Sequence, residues 1–326
     1  MEYADIHELH ISRIGLGTWA IGGWMWGGSD EKEAINTIHE AFALGINLID
    51  TAPVYGFGTA EEIVGKAIAT LPRHDVVIAT KVALEWKDGK VYRNATPARI
   101  EKEIEDSLRR LKTDYIDLYQ VHWPDPLVPV EETAKAMGKL LKAGKIRAIG
   151  VSNYTPEQME VFKSVAPLHS DQPPYNLLER GIETDVLPYC RKNHIAILAY
   201  GSLCRGLLSG KITKESKFTG DDLRLVDPKF QEPRFSQYLA AVQALDTYAQ
   251  AKHGKNVMAL AVRWLLDQNG VTVALWGARK PHQVSAVGDV MDWHLSQEDF
   301  QAIDQILEEH IKDPVGPEFM APPARS

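Results

Sequence analysis

The chain has 326 residues, 44% hydrophobic and 25% charged, the proportions of an ordinary globular protein rather than a disordered or coiled-coil one. Its 36 basic and 44 acidic residues leave a net charge of −8 without any basic block, which argues against nucleic acid or an anionic membrane as the main partner. No run approaches 18 apolar residues, and Cys190 and Cys204 are the only cysteines, too few for a disulfide scaffold or a zinc cluster, so neither a membrane span nor a metal site is expected.

In chain order, the first twenty residues carry Glu2, Asp5, His7, Glu8 and His10 where a secretory signal needs an apolar run, so a cytoplasmic protein is expected. The alternation within Tyr3–Ile11 predicts a small hairpin. Eight short β-branched or apolar runs then read as strands: Ile14–Thr18, Asn47–Asp50, Val76–Lys81, Tyr115–His122, Ile146–Ser152, His169–Gln172, Ile195–Ser202 and Thr272–Gly277. Several are continuously apolar, as strands covered on both faces should be. Helical patterns lie between them. Asp30 caps a helix carrying Ala34, Ile38 and Phe42 that Gly45 ends. Thr96-Pro97 opens the stripe Ile100, Ile104, Leu108, Leu111. Met137, Leu140 and Leu141 precede Gly144, Thr155-Pro156 starts a further helix, and Ala259, Val262 and Leu266 mark another. The stretch from Leu203 to Phe235 is polar, Gly/Pro-rich and too long for an idle connection, so either a functional lid or a partly mobile segment is expected. Ser296, followed by Glu298 and Asp299, starts an extra helix reaching Ile311.

Strand and helix alternating eight times predict a parallel sheet, either closed as a (β/α)8 TIM barrel or open and doubly wound. No linker or internal repeat breaks the pattern, so the whole chain, 1–326, is read as one domain. In a barrel the chemistry sits at the C-terminal ends of the strands. Three consecutive apolar strands end in Asp50, Lys81 and His122, groups that are expensive to bury unless they are used.

The run Gly45–Gly56, containing Asp50-Thr51-Ala52-Pro53-Val54-Tyr55 and followed by Glu61-Glu62 and Gly65, resembles the signature of the aldo-keto reductase superfamily. Lys81 in Ala79-Thr80-Lys81 and His122 in Gln120-Val121-His122-Trp123-Pro124 fit the same resemblance. So do Gly150-Val151-Ser152-Asn153, Gln172-Pro173-Pro174-Tyr175-Asn176, Tyr200-Gly201-Ser202-Leu203 and Gly277-Ala278-Arg279, in order from Gly15 to Gln283. The chain is most similar to bacterial NADP-dependent reductases of small aldehydes such as glyceraldehyde, and to dehydrogenases of glycerol-like polyols.

The resemblance implies a (β/α)8 barrel and an oxidoreductase with Asp50, Tyr55, Lys81 and His122 as its catalytic set. Tyr55 would give the proton, Lys81 would ease its ionisation, Asp50 would orient Lys81, and His122 would polarise the carbonyl. NADP(H) is the expected cofactor, with NAD(H) possible. Ser152, Asn153 and Gln172 would take the carboxamide and Tyr200 would stack on the nicotinamide. Gly201, Ser202, Leu203, Arg205 and Gly206, with Lys211, would pass over the pyrophosphate. Gly277, Arg279 and Gln283 would meet the 2′-phosphate end, and Thr18 and Trp19 complete the site. Ala286 and Val287 stand where relatives carry Glu-Asn, which weakens adenine recognition. Trp24, Trp26, Trp86 and Trp123 are expected to line a pocket for a small carbonyl or polyol.

Gly15-Leu16-Gly17-Thr18-Trp19-Ala20 also matches G-x-G-x-x-A, a dinucleotide fingerprint. A glycine-rich loop rather than a helix follows, so it is read as strand one entering an active-site loop. The rival class is a regulatory NADP-binding subunit resembling potassium-channel β subunits, which share the barrel and the four residues.

Overall fold

The computed structural model describes residues 1–325. Twelve strands are present: β1 (Tyr3–Ile6), β2 (Leu9–Ser12), β3 (Ile14–Gly17), β4 (Leu48–Asp50), β5 (Val77–Val82), β6 (Leu84–Lys87), β7 (Lys90–Arg93), β8 (Ile116–Val121), β9 (Ile146–Ser152), β10 (Ser170–Gln172), β11 (Ala196–Ala199) and β12 (Val271–Gly277). Eight of them close a parallel barrel in the order β3-β4-β5-β8-β9-β10-β11-β12, with β12 paired back onto β3. The closed barrel, not the open sheet, is therefore the fold, and its strands are the eight that the apolar runs predict, with ends shifted by at most three residues.

The helix caps explain where the chain turns. The Asp30 carboxylate accepts from the Glu33 amide at 2.9 Å, and the Thr96 hydroxyl from the Arg99 amide at 3.3 Å. Thr155 with Gln158, and Ser296 with Asp299, form reciprocal capping boxes. Each cap satisfies an N–H that the helix itself cannot.

The expected N-terminal hairpin is β1–β2, and its position gives it a role. Ile6, Leu9 and Ile11 pack with Leu48, Val77, Leu118, Leu198 and Val273, the inward-facing residues of the barrel. The hairpin thus plugs the N-terminal floor, so the barrel opens only at the end where Asp50, Lys81 and His122 lie.

Three features are absent from the sequence reading. A second hairpin, β6–β7, rises directly from β5. After the 203–233 loop comes a 20-residue helix, Arg234–His253, which buries Phe235, Tyr238, Ala241, Val242, Leu245 and Ala249 as one stripe. The C-terminal segment returns over the barrel mouth: Arg93 N donates to Pro323 O at 2.9 Å, and Arg93 Nε to Pro322 O at 2.7 Å. Arg325 Nη1 reaches the Asp125 carboxylate at 2.5 Å.

Ile11→Ala removes a branched side chain from a floor with no room to collapse, and is expected to cost ~2–5 kcal/mol in urea unfolding. A loss below ~1 kcal/mol would show that the plug does not seal the core.

Candidate active site

Asp50 ends β4, Lys81 lies near the end of β5, and His122 follows β8 by one residue. Parallel pairing brings β4, β5 and β8 side by side, so three residues far apart in sequence meet at one point. Tyr55 arrives on the turn after β4. There the backbone of Gly22 presses on Tyr55 and Gly56: a Cβ on Gly56 would stand 2.2 Å from Gly22 O, and one on Gly22 2.6 Å from Tyr55 C. Only glycine permits that approach.

Lys81 Nζ donates to Asp50 Oδ1 at 2.6 Å, to Thr51 O at 3.0 Å and to the Tyr55 hydroxyl at 3.3 Å. The ammonium is fully buried. The second Asp50 oxygen accepts from Gln172 Nε2 at 2.7 Å and Gln120 Nε2 at 3.2 Å. Such a buried pair is tolerable because almost every lone pair and proton has a partner. The His122 ring meets Tyr55 edge-on at 5.7 Å, and the Trp19 ring stacks on Tyr55 at 5.8 Å.

The electrostatics refine the expected role of Lys81. Burial, reinforced by the Asp50 charge, holds the Tyr55 phenol well above its ordinary value. Burial lowers Lys81, with Asp50 opposing. Burial first, and the nearby Asp50 charge second, thus keep Tyr55 a protonated donor rather than a ready tyrosinate. Burial, followed by the Lys81 charge, pushes His122 well below its usual value. His122 is therefore a neutral imidazole at physiological pH, a hydrogen-bond donor rather than a cation.

These groups open on an elongated cavity of about 610 Å3. Asp50, Tyr55 and His122 line one end, and Lys81 stands behind Tyr55. All the residues singled out for the cofactor line the same cavity: Thr18, Trp19, Ser152, Asn153, Gln172, Tyr200, Gly201, Ser202, Leu203, Arg205, Gly206, Lys211, Gly277, Arg279 and Gln283. The Tyr200 hydroxyl donates to Asn153 Oδ1 at 3.0 Å, and Asn153 Nδ2 donates to His122 O at 3.0 Å. Asn153 itself sits at a left-handed φ of 61°, so a strained turn aims its amide between the two.

Two expectations need correction, the pocket role of Trp86 and the offer of the Arg279-Lys280 backbone N–H groups to a 2′-phosphate, and two further features stand beside them. Trp86 does not line the cavity; on β6 it lies behind Phe57 and under Arg99, whereas Leu84 and Val91 of the same hairpin do line it. The Arg205 guanidinium is turned away from the cavity into buried pairs with Glu179 and Asp227, because two carboxylates claim its fork. The Arg279 and Lys280 amides donate to Gln283 Oε1 at 2.9 and 3.1 Å, so those N–H groups serve the local turn instead of a phosphate. The short C-terminal tail contributes Phe319, Met320, Pro322 and Pro323 to the pocket wall.

At the predicted polyol end, Trp24, Trp26 and Trp123 are present as expected. Gln120 was not singled out, although the alternation Leu118, Gln120, His122 places it on the inward face. Leu223, Arg224 and Val226, inside the polar Leu203–Phe235 stretch, also line the cavity, while the tail carries no local signal of its position.

An Asp–Lys–Tyr–His cluster at the C-terminal mouth of a closed (β/α)8 barrel, beside a long cavity, defines a barrel oxidoreductase. The model of the aldo/keto reductase family matches residues 13–308. The chain is 62% identical to aldo-keto reductase YhdN of Bacillus subtilis over 100% of its own length and 99% of that protein. It is 36% identical to the NADH-specific methylglyoxal reductase of Escherichia coli, covering 92% of this chain and 96% of that one. The glycerol dehydrogenase AKR11B4 from Gluconobacter oxydans superposes with a TM-score of 0.89 at 55% identity, covering 98% and 99% of the two chains. The chain belongs to the aldo-keto reductase family, whose members use nicotinamide cofactors.

Because folded His122 resists protonation while the unfolded chain takes up a proton near pH 6.5, stability falls as pH drops below that value. His122→Gln is expected to flatten the stability–pH slope there by up to ~1.4 kcal/mol per pH unit in urea titrations. An unchanged slope would mean that His122 takes up its proton in the fold as readily as in the unfolded chain.

Proposed function

We propose that this protein uses NADP(H) to interconvert small aldehydes or ketones and their alcohols, with glyceraldehyde and glycerol as the type of substrate. The observation that carries this reading is the Tyr55 hydroxyl held 3.3 Å from Lys81 Nζ, itself 2.6 Å from Asp50, beside neutral His122.

The cavity fits a dinucleotide. It is long enough to run from Tyr55 to Arg279, and at Gly277 an added Cβ would meet nothing within 4 Å, so bare backbone forms part of its floor. Asn153 with Ser152 and Gln172 would hold the carboxamide, Tyr200 the nicotinamide face, the 201–206 backbone the phosphates, and Lys211 and Arg279 the far charge. When bound, the cofactor supplies or takes the hydride.

The chain's own residues handle the proton. In reduction, Tyr55 donates it to the carbonyl oxygen as negative charge develops there, and Lys81 then hydrogen-bonds the phenolate. Asp50 keeps Lys81 in place for that moment. The neutral His122 ring gives a second donor to the same oxygen, acting as an oxyanion-type support. In oxidation the phenolate takes the alcohol proton. Around this polar pair the walls are Trp24, Val54, Leu84, Val91 and Trp123, which exclude water and limit substrate size.

NADP is favoured over NAD by Arg279. Its Nη1 is bonded to Trp26 O at 2.8 Å, while Nε and Nη2 make no hydrogen bond among the described residues, leaving a charged edge for a phosphate. The relative named for NADH specificity makes this preference the point to test. No helix among the described residues is long and apolar enough to cross a membrane, which suits a small-molecule enzyme acting in the cytoplasm.

Tyr55→Phe is expected to keep NADPH binding, read by tryptophan quenching, and to lower kcat with DL-glyceraldehyde by ~10²–10⁴-fold. Near-normal turnover would remove Tyr55 from the chemistry. NADPH binding by the wild type without any turnover would favour the regulatory alternative.

Arg279→Ala is expected to weaken NADPH binding by ~10–100-fold, the loss of a charged hydrogen bond of ~1.5–3 kcal/mol. NADH binding should change little. Equal losses for both cofactors would refute the 2′-phosphate role.

A further inference from the structure

Away from the tetrad, four charges are buried together: Glu179, Arg205, Asp227 and Lys229, with side chains between 0 and 4% exposed. Arg205 Nε donates to Asp227 Oδ2 at 2.5 Å, and Nη1 to Glu179 Oε2 at 3.2 Å. Lys229 Nζ lies 2.8 Å from Glu179 Oε1 and 3.9 Å from Asp227 Oδ1. Two acids balance two bases, so the quartet is neutral as a unit. Core packing alone does not call for it, since apolar residues usually do at least as well in such a place.

Its connections are specific. On one side, Asn176 Nδ2 links Glu179 Oε2 at 2.8 Å to Gly201 O at 3.0 Å, so the quartet grips the segment that runs beneath the cavity. That segment holds left-handed φ values at Gly201 (70°), Cys204 (44°), Arg205 (52°) and Gly206 (93°). Cys204 and Arg205 have no intrinsic reason to adopt them, and the Arg205 fork is what pins the backbone there. On the other side, Lys229 Nζ donates to Gly316 O at 3.1 Å, and Phe319 lies over the Arg205 guanidinium at 5.7 Å. Phe319 and Met320 form part of the cavity wall.

We propose that the quartet is a two-armed positioning device, in which Arg205 shapes the cofactor-facing backbone 201–206 and Lys229 seats the C-terminal tail as a wall of the substrate pocket. The assignment of cofactor and substrate to the two ends rests on the reading in the preceding subsection. The anchoring of the tail does not. Neither Arg205 nor Lys229 touches the reacting atoms; each acts through the backbone it holds.

The two arms predict a split that general destabilisation would not give. Arg205→Lys keeps the charge but loses the fork. It is expected to raise the Kd for NADPH by ~10-fold or more, while trypsin cleavage at Lys312, which lies before the Lys229–Gly316 bond, stays within ~2-fold of the wild type despite the lost Phe319 contact. Asp227→Asn with Lys229→Met removes one charge of each sign, preserves the Arg205–Glu179 pair and keeps the core neutral, so it folds where Lys229→Met alone risks failing. This double variant is expected to speed trypsin cleavage at Lys312 by ~10-fold, and to raise the KM for DL-glyceraldehyde by ~5–10-fold with the NADPH Kd within ~2-fold. Asp227→Asn alone, with Lys229 intact, should keep the tail protected. Unchanged tail protection in the double variant, or a parallel rise of KM and Kd in both variants that follows their loss of thermal midpoint, would overturn the proposal. Absence of NADPH binding by the wild type would instead sink the cofactor reading, and the protease rates would still judge the Lys229 arm.

Discussion

Everything at the mouth of this barrel depends on one buried ion pair. Lys81 and Asp50 meet at 2.6 Å with almost no solvent around them. Leaving water costs each ion several kcal/mol, which direct attraction offsets only when the remaining hydrogen-bonding capacity is satisfied. Gln172, Gln120 and Thr51 supply those partners. The pair in turn sets the state of its neighbours. It leaves Tyr55 protonated, and the Lys81 charge adds to burial in keeping His122 neutral. Around this single neutralised pair, a protonated Tyr55 hydroxyl and a neutral His122 ring border the same end of the cavity.

The barrel explains why this arrangement is stable. Adjacent parallel strands bring their C-terminal ends into register, so residues at the ends of β4, β5 and β8 converge without any loop having to carry them. The hairpin plug closes the opposite end. Rigid strands hold the charged groups, and the more adaptable loops form the walls. That division separates chemistry from specificity: the family relationship bears on the first, and the tail, the β6–β7 hairpin and the 221–226 segment bear on the second.

The second charge cluster, around Arg205, differs from the first in kind. The Asp50–Lys81 pair acts at the surface of the cavity, on a hydroxyl. The Glu179–Arg205–Asp227–Lys229 quartet lies behind the wall and touches only protein, so any effect it has passes through backbone. Both obey the same rule, that a buried charge needs its partners, yet only the first was readable as chemistry from its position at a strand end. The family motif places the backbone of residues 201–206 at the cavity, whereas the Arg205 side chain is claimed by two carboxylates distant in sequence, which no local spacing announces.

The sequence by itself determined the local and periodic features. Eight apolar runs, the caps at Asp30, Thr96, Thr155 and Ser296, and the ionisable residues that end three strands are short-range signals, and each depends on a few neighbouring residues. Strand-end position was enough to pick out Asp50, Lys81 and His122, and the ordered motifs added Tyr55 and the residues along the cavity. What only the tertiary structure decided are the contacts between distant segments. Closure of β12 on β3 fixed a barrel over an open sheet. The return of the tail to Arg93 and Asp125 put Phe319 and Met320 into the wall, while packing against Phe57 and Arg99 left Trp86 outside it. The partition of Arg205 and Gln283 between ligand-facing and protein-facing bonds was likewise settled in space. These outcomes rest on which long-range partner is nearest in the folded chain, and no spacing within one segment encodes that.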